Sequence, residues 1–186
     1  MIGSGAFSRC VNLKEVNLGD TNVYSIGQSA FSGCTSLESI ALPDRTREVG
    51  ASCFDGCTSL KEVKLSNGMS EIPASMFNKC VSLSKVVYPS KVKTIGDNAF
   101  YQCSSLKSAA LPATVRVIGG YAFYKCTSIE YVDLYSTMET VSIYAFDVCT
   151  SLKTINYYGT EEEFKKIFVD RNNDAFMNAS VVYKSK

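Results

Sequence analysis

The sequence predicts an α/β solenoid, with parallel strands on one face and short helical or 3₁₀ turns on the other. Three observations carry that expectation. Seven of the eight cysteines, at positions 10, 34, 57, 80, 103, 126 and 149, are spaced by 24 residues once and by 23 thereafter. Phe7, Phe31, Phe54, Phe77, Phe100, Phe123 and Phe146 stand three residues before them, and Leu13, Leu37, Leu60, Leu83, Leu106, Ile129 and Leu152 three residues after. The register then continues through Val16, Ile40, Val63, Val86, Ala109, Val132 and Ile155 to Leu18, Leu42, Leu65, Tyr88, Leu111, Leu134 and Tyr157. One such unit cannot bury its apolar face alone, so self-similarity at this period means coils stacked on a shared core.

Each unit reads I-G-x-x-A-F-x-x-C-x-S-L-x-x-V-x-L-P-x-x-V-x-x, taken seven times with one residue inserted between Leu18 and Ile26. The L-x-x-V-x-L stretch alternates apolar and variable residues with the period of a half-buried strand. Its outward positions are Glu15 and Asn17, Ser39 and Ala41, Glu62 and Lys64, Lys85 and Val87, Ser108 and Ala110, Tyr131 and Asp133, then Thr154 and Asn156. Stacked about 4.8 Å apart, such strands form a parallel sheet on the order of 30 Å long with one exposed face. The I-G-x-x-A-F-x-x-C stretch spaces its apolar residues by three and four, the period of a short helix or 3₁₀ turn. Ile2, Ile26, Val49, Ile72, Ile95, Ile118 and Val141 open it, and glycine follows except at Pro73 and Ser142. Pro43, Pro89 and Pro112 close the preceding strand, because proline has no N–H and a fixed φ.

Composition narrows the function. The 186 residues are 46% hydrophobic and 20% charged, enough apolar material for one folded domain. Nineteen Lys and Arg against eighteen Asp and Glu leave a net charge of +1, so no basic stripe exists for nucleic acid or anionic lipid. Histidine is absent, which removes the usual general base and the usual transition-metal ligand. No catalytic residue, metal or cofactor is expected.

These residues resemble the leucine-rich repeats of the BspA-like bacterial surface protein family, whose unit reads L-x-x-I-x-L-P-x-x-L-x-x-I-G-x-x-A-F-x-x-C. The resemblance covers residues 2 to about 157 and places the cysteine before the strand, unlike the general leucine-rich repeat. It implies a right-handed leucine-rich repeat solenoid from a cell-surface or secreted protein used in adhesion and host-protein binding.

Beyond Gly159 the period stops. The expected division is therefore residues 1–158 as seven repeats, the first truncated, and residues 159–186 as a C-terminal capping segment of helix, loop and terminal strand. Thr160 and Glu163 form a T-x-x-E capping box, Glu161 and Glu162 can pair with Lys165 and Lys166, and Phe164, Ile167 and Phe168 make an apolar stripe. Asp174 reads as a helix N-cap and residues 179–183 as the last strand. This tail also resembles the segment that often ends such arrays in anaerobic gut bacteria. Met1 and Ile2 begin in mid-unit with no signal-peptide core and no membrane-inserting segment, so the chain reads as the C-terminal part of a longer array.

The cysteine column reads as buried free thiols, because equivalent residues on adjacent coils have parallel Cβ vectors that oppose the disulfide dihedral. Cys53 falls in a column otherwise filled by alanine or Met76 and reads as core filler. Zinc would want clustered pairs of ligands that this spacing does not supply. Asp170, Asn172 and Asp174 begin a D-x-N-x-D calcium loop, but position twelve is Val181 rather than Glu. Asn178, Ala179 and Ser180 fit a glycosylation sequon, a triplet common by chance. Glu162 and Asp170 could be drawn as a glycosidase pair, yet every carboxylate lies in a variable column or the tail. The charged run at residues 44–48 reads as a solvated corner.

Two surfaces remain. The strand face offers Ala41, Lys64, Lys85, Val87, Ala110, Tyr131 and Asp133, a middle of low charge with an aromatic anchor, suited to a protein ligand such as a host matrix or surface protein. Tyr101, Tyr121, Tyr124 and Tyr144 form a second, aromatic patch that could stack on a glycan. Tyrosine beside A-F is frequent in the resembled family, so packing explains this run as well. The expected function is a non-catalytic protein-recognition or adhesion module, with a carbohydrate-binding module or a passive spacer as alternatives.

Overall fold

The computed structural model describes residues 1–19 and 21–185. The chain winds as a parallel-strand β-solenoid of about seven coils with little helix. One line of strands follows the L-x-x-V-x-L stretches: β2 (Ser39–Ala41), β4 (Glu62–Lys64), β6 (Lys85–Val87), β8 (Ser108–Ala110), β10 (Tyr131–Tyr135), β12 (Thr154–Tyr158) and β14 (Ser180–Lys184). A second line follows the I-G stretches: β1 (Ser25–Ile26), β3 (Glu48–Val49), β5 (Glu71–Ile72), β7 (Thr94–Ile95), β9 (Val117–Ile118), β11 (Thr140–Val141) and β13 (Phe168–Val169). All pairings are parallel and in register, so each residue meets its equivalent one coil away.

Both lines are interrupted once. The second breaks between β3 and β5, where Pro73 stands in the glycine column. Elsewhere the N–H at that position donates back one coil, Gly50 to Ile26 and Gly96 to Ile72, and proline has none to give. The first breaks between β6 and β8, where Tyr88 replaces the leucine of its column and Ala109 the following valine. Six of the seven expected strands form, in two sheets of three and four strands whose seventh member is β14; the expected first strand, at residues 15–17, is a single bridge from Glu15 to Ser39.

The core is the set of columns. Phe31, Phe54, Phe77, Phe100, Phe123 and Phe146 are fully buried, and their rings stack in file with centroids 5.0–5.6 Å apart. Six cysteines lie beside them, and each thiol donates to a phenylalanine carbonyl of the preceding coil, from Cys34 to Phe7 through Cys149 to Phe123, at 3.0–3.2 Å. The eight cysteines are free thiols, buried except for Cys10. Glycine follows the opening Ile or Val because coils nearly touch there: a Cβ on Gly96 or Gly119 would sit 2.7 Å from the backbone nitrogen of Ala74 or Asp97.

The expected helical or 3₁₀ turns do not form in the described repeats. Across A-F-x-x-C the backbone N–H groups alternate, one donating to the carbonyl three residues back and the next to the following coil. Ser29 donates to Ala51, Ala30 to Gly27, Phe31 to Cys53, Ser32 to Ser29 and Gly33 to Asp55. Two residues per coil sit at positive φ, one before the Ala of A-F and one before the cysteine. They run from Gly5 and Arg9 to Tyr144 and Val148, with φ between +54° and +73°. A left-handed residue at every fourth place breaks a helix yet returns the apolar side chains inward at the same spacing of three and four.

The C-terminal segment extends both lines. α1 (Glu161–Phe164) starts on the full Thr160–Glu163 capping box, β13 pairs with β11, α2 (Asp174–Met177) follows, and β14 pairs with β12. Phe176 stacks on Phe146 at 5.4 Å and lengthens the ring file. Four expectations change. The N-cap of α2 is Asn173, with Asp174 its first helical residue. The last strand is Ser180–Lys184. Glu161 and Glu162 both reach Lys165, at 2.8 and 3.7 Å. Of the stripe, Ile167 is buried and Phe164 partly so, while Phe168 lies in β13 and is 61% exposed.

Candidate functional site

The strand face is a grid whose columns are strands and whose rows are registers. One row runs Ser39, Glu62, Lys85 and, past the interruption, Ser108, Tyr131, Thr154, Ser180. The next runs Ala41, Lys64, Val87, then Ala110, Asp133, Asn156, Val182. All seven residues expected on this face lie in these two rows, on either side of the break. Asp133 is half-buried and the other six are exposed.

The two halves differ. In the N-terminal half charges are paired along the solenoid: Lys85 with Glu62 at 2.6 Å, and Lys61 with Glu38 at 2.8 Å beside it. The hydrogen bond from Lys61 holds the Glu38 carboxyl below its ordinary range. These exposed pairs contribute little energy each, but they occupy the charges. In the C-terminal half a polar couple across the grid is neutral on one side, Asn156 donating to Asp133 at 2.7 Å.

That half is also wider. β2, β6 and β8 have three residues and stop before Pro43, Pro89 and Pro112. In the next two coils the proline position holds Tyr135 and Tyr158, which carry an N–H, and β10 and β12 run to five residues. A third row results: Tyr135, Tyr158 and Lys184. The two rings stack at 4.6 Å, and the Lys184 ammonium lies 5.5 Å from the Tyr158 centroid. Burial, and the neighbouring Tyr158 after it, push the Tyr135 phenol up. Tyr135 and Tyr158 were not among the expected site residues; the signal that finds them is tyrosine, twice in succession, in a column that holds proline in three coils, since Ser66 in that column follows a β4 of three residues.

Tyr101, Tyr121, Tyr124 and Tyr144 do come together, on the turn side, and all are half-buried. Tyr101 stacks on Tyr124 at 5.1 Å and Tyr121 on Tyr144 at 4.8 Å, with Tyr121 edge-on to Tyr124 at 5.5 Å. Tyr121 and Tyr144 occupy left-handed backbone positions. One face of each of the four rings is thus covered by its stacking partner. Asp170, Asn172 and Asp174 do not converge as a cation loop: the Asp170 carboxylate accepts from Arg171 N–H, and its backbone carbonyl accepts from Asn173. Among the described residues no group of three or more potential ligands is close enough to hold a metal ion, and no helix is long and apolar enough to cross a membrane.

The family described as "BspA type Leucine rich repeat region" matches the chain in six copies, over residues 1–107 and 70–180. The chain belongs to that family. A solved leucine-rich repeat protein of T. pallidum, TpLRR, is 29% identical with a TM-score of 0.70, over 87% of this chain and 79% of its own. A leucine-rich cell surface protein of Faecalibacterium prausnitzii is 22% identical with a TM-score of 0.68, over 99% of this BspA-type chain and 58% of its own. The pneumococcal vaccine antigen PcpA is 18% identical with a TM-score of 0.56, over 99% of this chain and 65% of its own. The chain thus spans about three fifths of the length of the Faecalibacterium protein, and the latter two likenesses concern the fold alone. A search of curated proteins returned no match.

Proposed function

We propose that this chain is a non-catalytic protein-recognition module of a bacterial cell-surface or secreted protein, working in adhesion through its strand face. Leucine-rich repeat arrays generally serve protein binding, and the family and its solved relatives include bacterial surface proteins. In this reading the solenoid is right-handed, as parallel crossovers overwhelmingly are. Residues 1–158 supply the recognition surface and residues 159–186 cover the end of its core, with β14 as the edge strand.

One observation carries the reading: the widened part of the grid, where Tyr131, Tyr135 and Tyr158 share a face whose charges are few. Aromatic residues with little charge around them are what the centre of a protein interface concentrates. Ala110 and Asp133 belong to this part. Ala41, Lys64, Lys85 and Val87 form its rim across the interruption.

Immobilised extracellular-matrix proteins test it. Tyr131→Ala and Tyr158→Ala should each weaken binding about tenfold or more, the loss of a hot-spot anchor, while Tyr121→Ala and Tyr124→Ala leave it unchanged. The reverse pattern on a glycan array would overturn the proposal in favour of a carbohydrate-binding patch, and no binding in either assay would leave a spacer.

A further inference from the structure

The C-terminal end of the solenoid carries an unpaired strand. β14 is terminal in the order β8, β10, β12, β14, and among the described residues nothing pairs with its outer side. Its inner pairing is fixed by Ser180 N–H donating to the Lys153 carbonyl at 2.9 Å, with Ser180 in register with Thr154. In a parallel ladder alternate residues turn both peptide groups toward the partner. Ser180, Val182 and Lys184 therefore face β12, and the N–H and C=O groups of Val181 and Tyr183 face outward.

Natural sheets protect such an edge with proline, a bulge, an inward charge or a covering segment. The sequence of β14, S-V-V-Y-K, has no proline and one charge, at its end. The same end exposes apolar side chains: Phe168 at 61%, Met177 at 65%, Val182 at 44% and Tyr183 at 43%. Two of these, Val182 and Tyr183, lie on the open strand itself.

We infer that β14 pairs antiparallel with β14 of a second copy, about a two-fold axis through Val182. The strand is self-complementary in that register. Val182 meets Val182, Ser180 meets Lys184, and no like charges face each other across the axis. The outward peptide groups of Val181 and Tyr183 fall opposite each other as a hydrogen-bonded pair on both sides of the axis. The pairing continues the existing ladder from β8 to β14 into the partner's, and a two-fold contact closes at the dimer. Any other strand could take the hydrogen bonds, but the chain's own supplies this match without a further component.

Sedimentation equilibrium and cysteine cross-linking test the pairing. The chain should approach twice its 20.3 kDa mass as concentration rises. Val182→Lys, which sets two ammonium groups face to face at the axis, should keep it monomeric with an unchanged circular dichroism spectrum. In a Cys10→Ser background that removes the exposed native thiol, Val182→Cys should give a disulfide-linked dimer under mild oxidation, and Ser180→Cys should not. A chain that stays at 20.3 kDa, a Val182→Lys variant that dimerises like the wild type, equal cross-linking at positions 180 and 182, or open-ended polymers would each overturn the inference. Ligand binding by Tyr131 and Tyr158 is read in a separate assay and is independent of these outcomes.

Discussion

The side-chain carbonyl of Asn173 accepts the backbone N–H of Phe146 at 3.0 Å. In all six preceding coils that N–H donates instead to a main-chain carbonyl of the next coil, from Phe7 to Ala30 through Phe123 to Ala145. Asn173 is buried, and its Nδ2 donates to the carbonyls of Ser142 at 2.9 Å and Asp170 at 3.0 Å. One side-chain amide thus replaces a peptide group of the A-F-x-x-C stretch, which the C-terminal segment does not repeat. Asn173→Ala leaves one donor and two acceptors unmet and should cost on the order of 3 kcal/mol. Asn173→Asp keeps the acceptor but turns an oxygen toward two carbonyls, so it should fail as well. Urea denaturation at neutral pH measures both, and a change under about 0.5 kcal/mol would reject the role.

The Tyr88 hydroxyl is buried with no hydrogen-bond partner among the described residues, and burial raises its phenol far above the ordinary value. Its ring stands edge-on to Phe100 at 6.1 Å. Tyr88→Phe keeps the ring and removes the stranded polar atom, so it should stabilise by about 1–3 kcal/mol. A destabilised variant in thermal unfolding would mean that the hydroxyl has a partner.

Val148 holds a left-handed backbone at φ +57°, a conformation a β-branched residue adopts only under strain. The equivalent positions in two earlier repeats hold Gly33 and Gly56. Val148→Gly should therefore raise stability by about 1 kcal/mol, the steric relief exceeding the added chain entropy. Equal or lower stability would show that Val148 side-chain packing outweighs the strain.

The thiol column makes stability fall in alkali. Burial, the largest cause, pushes Cys57 and Cys149 up to about 12 from an ordinary 9.0. Between those values the unfolded chain has lost protons that the native chain keeps, so raising the pH favours unfolding. The contribution is full below the ordinary thiol value and gone above about 12. Denaturant midpoints taken upward from pH 8 should drop along this window, and less steeply in a Cys57→Ala, Cys149→Ala variant, in which five other buried thiols remain. Alkylation of the native chain at pH 8 should modify Cys10 first, and a reductant should leave the melting transition in place.

The core was legible in the sequence because each column repeats: Phe54, Cys57, Leu60, Val63 and Leu65 are all buried at the depth their spacing implies. The backbone path between them was not. Spacing of three and four reports which side chains return inward, and Ser29 and Gly33 reach that result through left-handed turns rather than a helix. Strands as short as Ser25–Ile26 are below the length at which alternation can be seen. On the strand face, Tyr131 lay in a periodic outward position and Tyr135 did not, since its column holds proline in three other coils. Asn173 sits in a segment with no period at all, so only its three hydrogen bonds reveal what it does.

The main-chain bonds between coils run from each residue to its counterpart one storey away, and the ring file adds one phenylalanine per storey. A duplication or loss of 23 residues therefore restores ladder, ring contact and thiol bond, and even the single residue inserted between Leu18 and Ile26 leaves the Phe7–Phe31 stack at 5.2 Å and the Cys34 thiol on the Phe7 carbonyl. Reach, measured in coils, can thus be altered by whole repeats without redesign of the interior, and the outward residues of the strand face travel with whichever coils are kept.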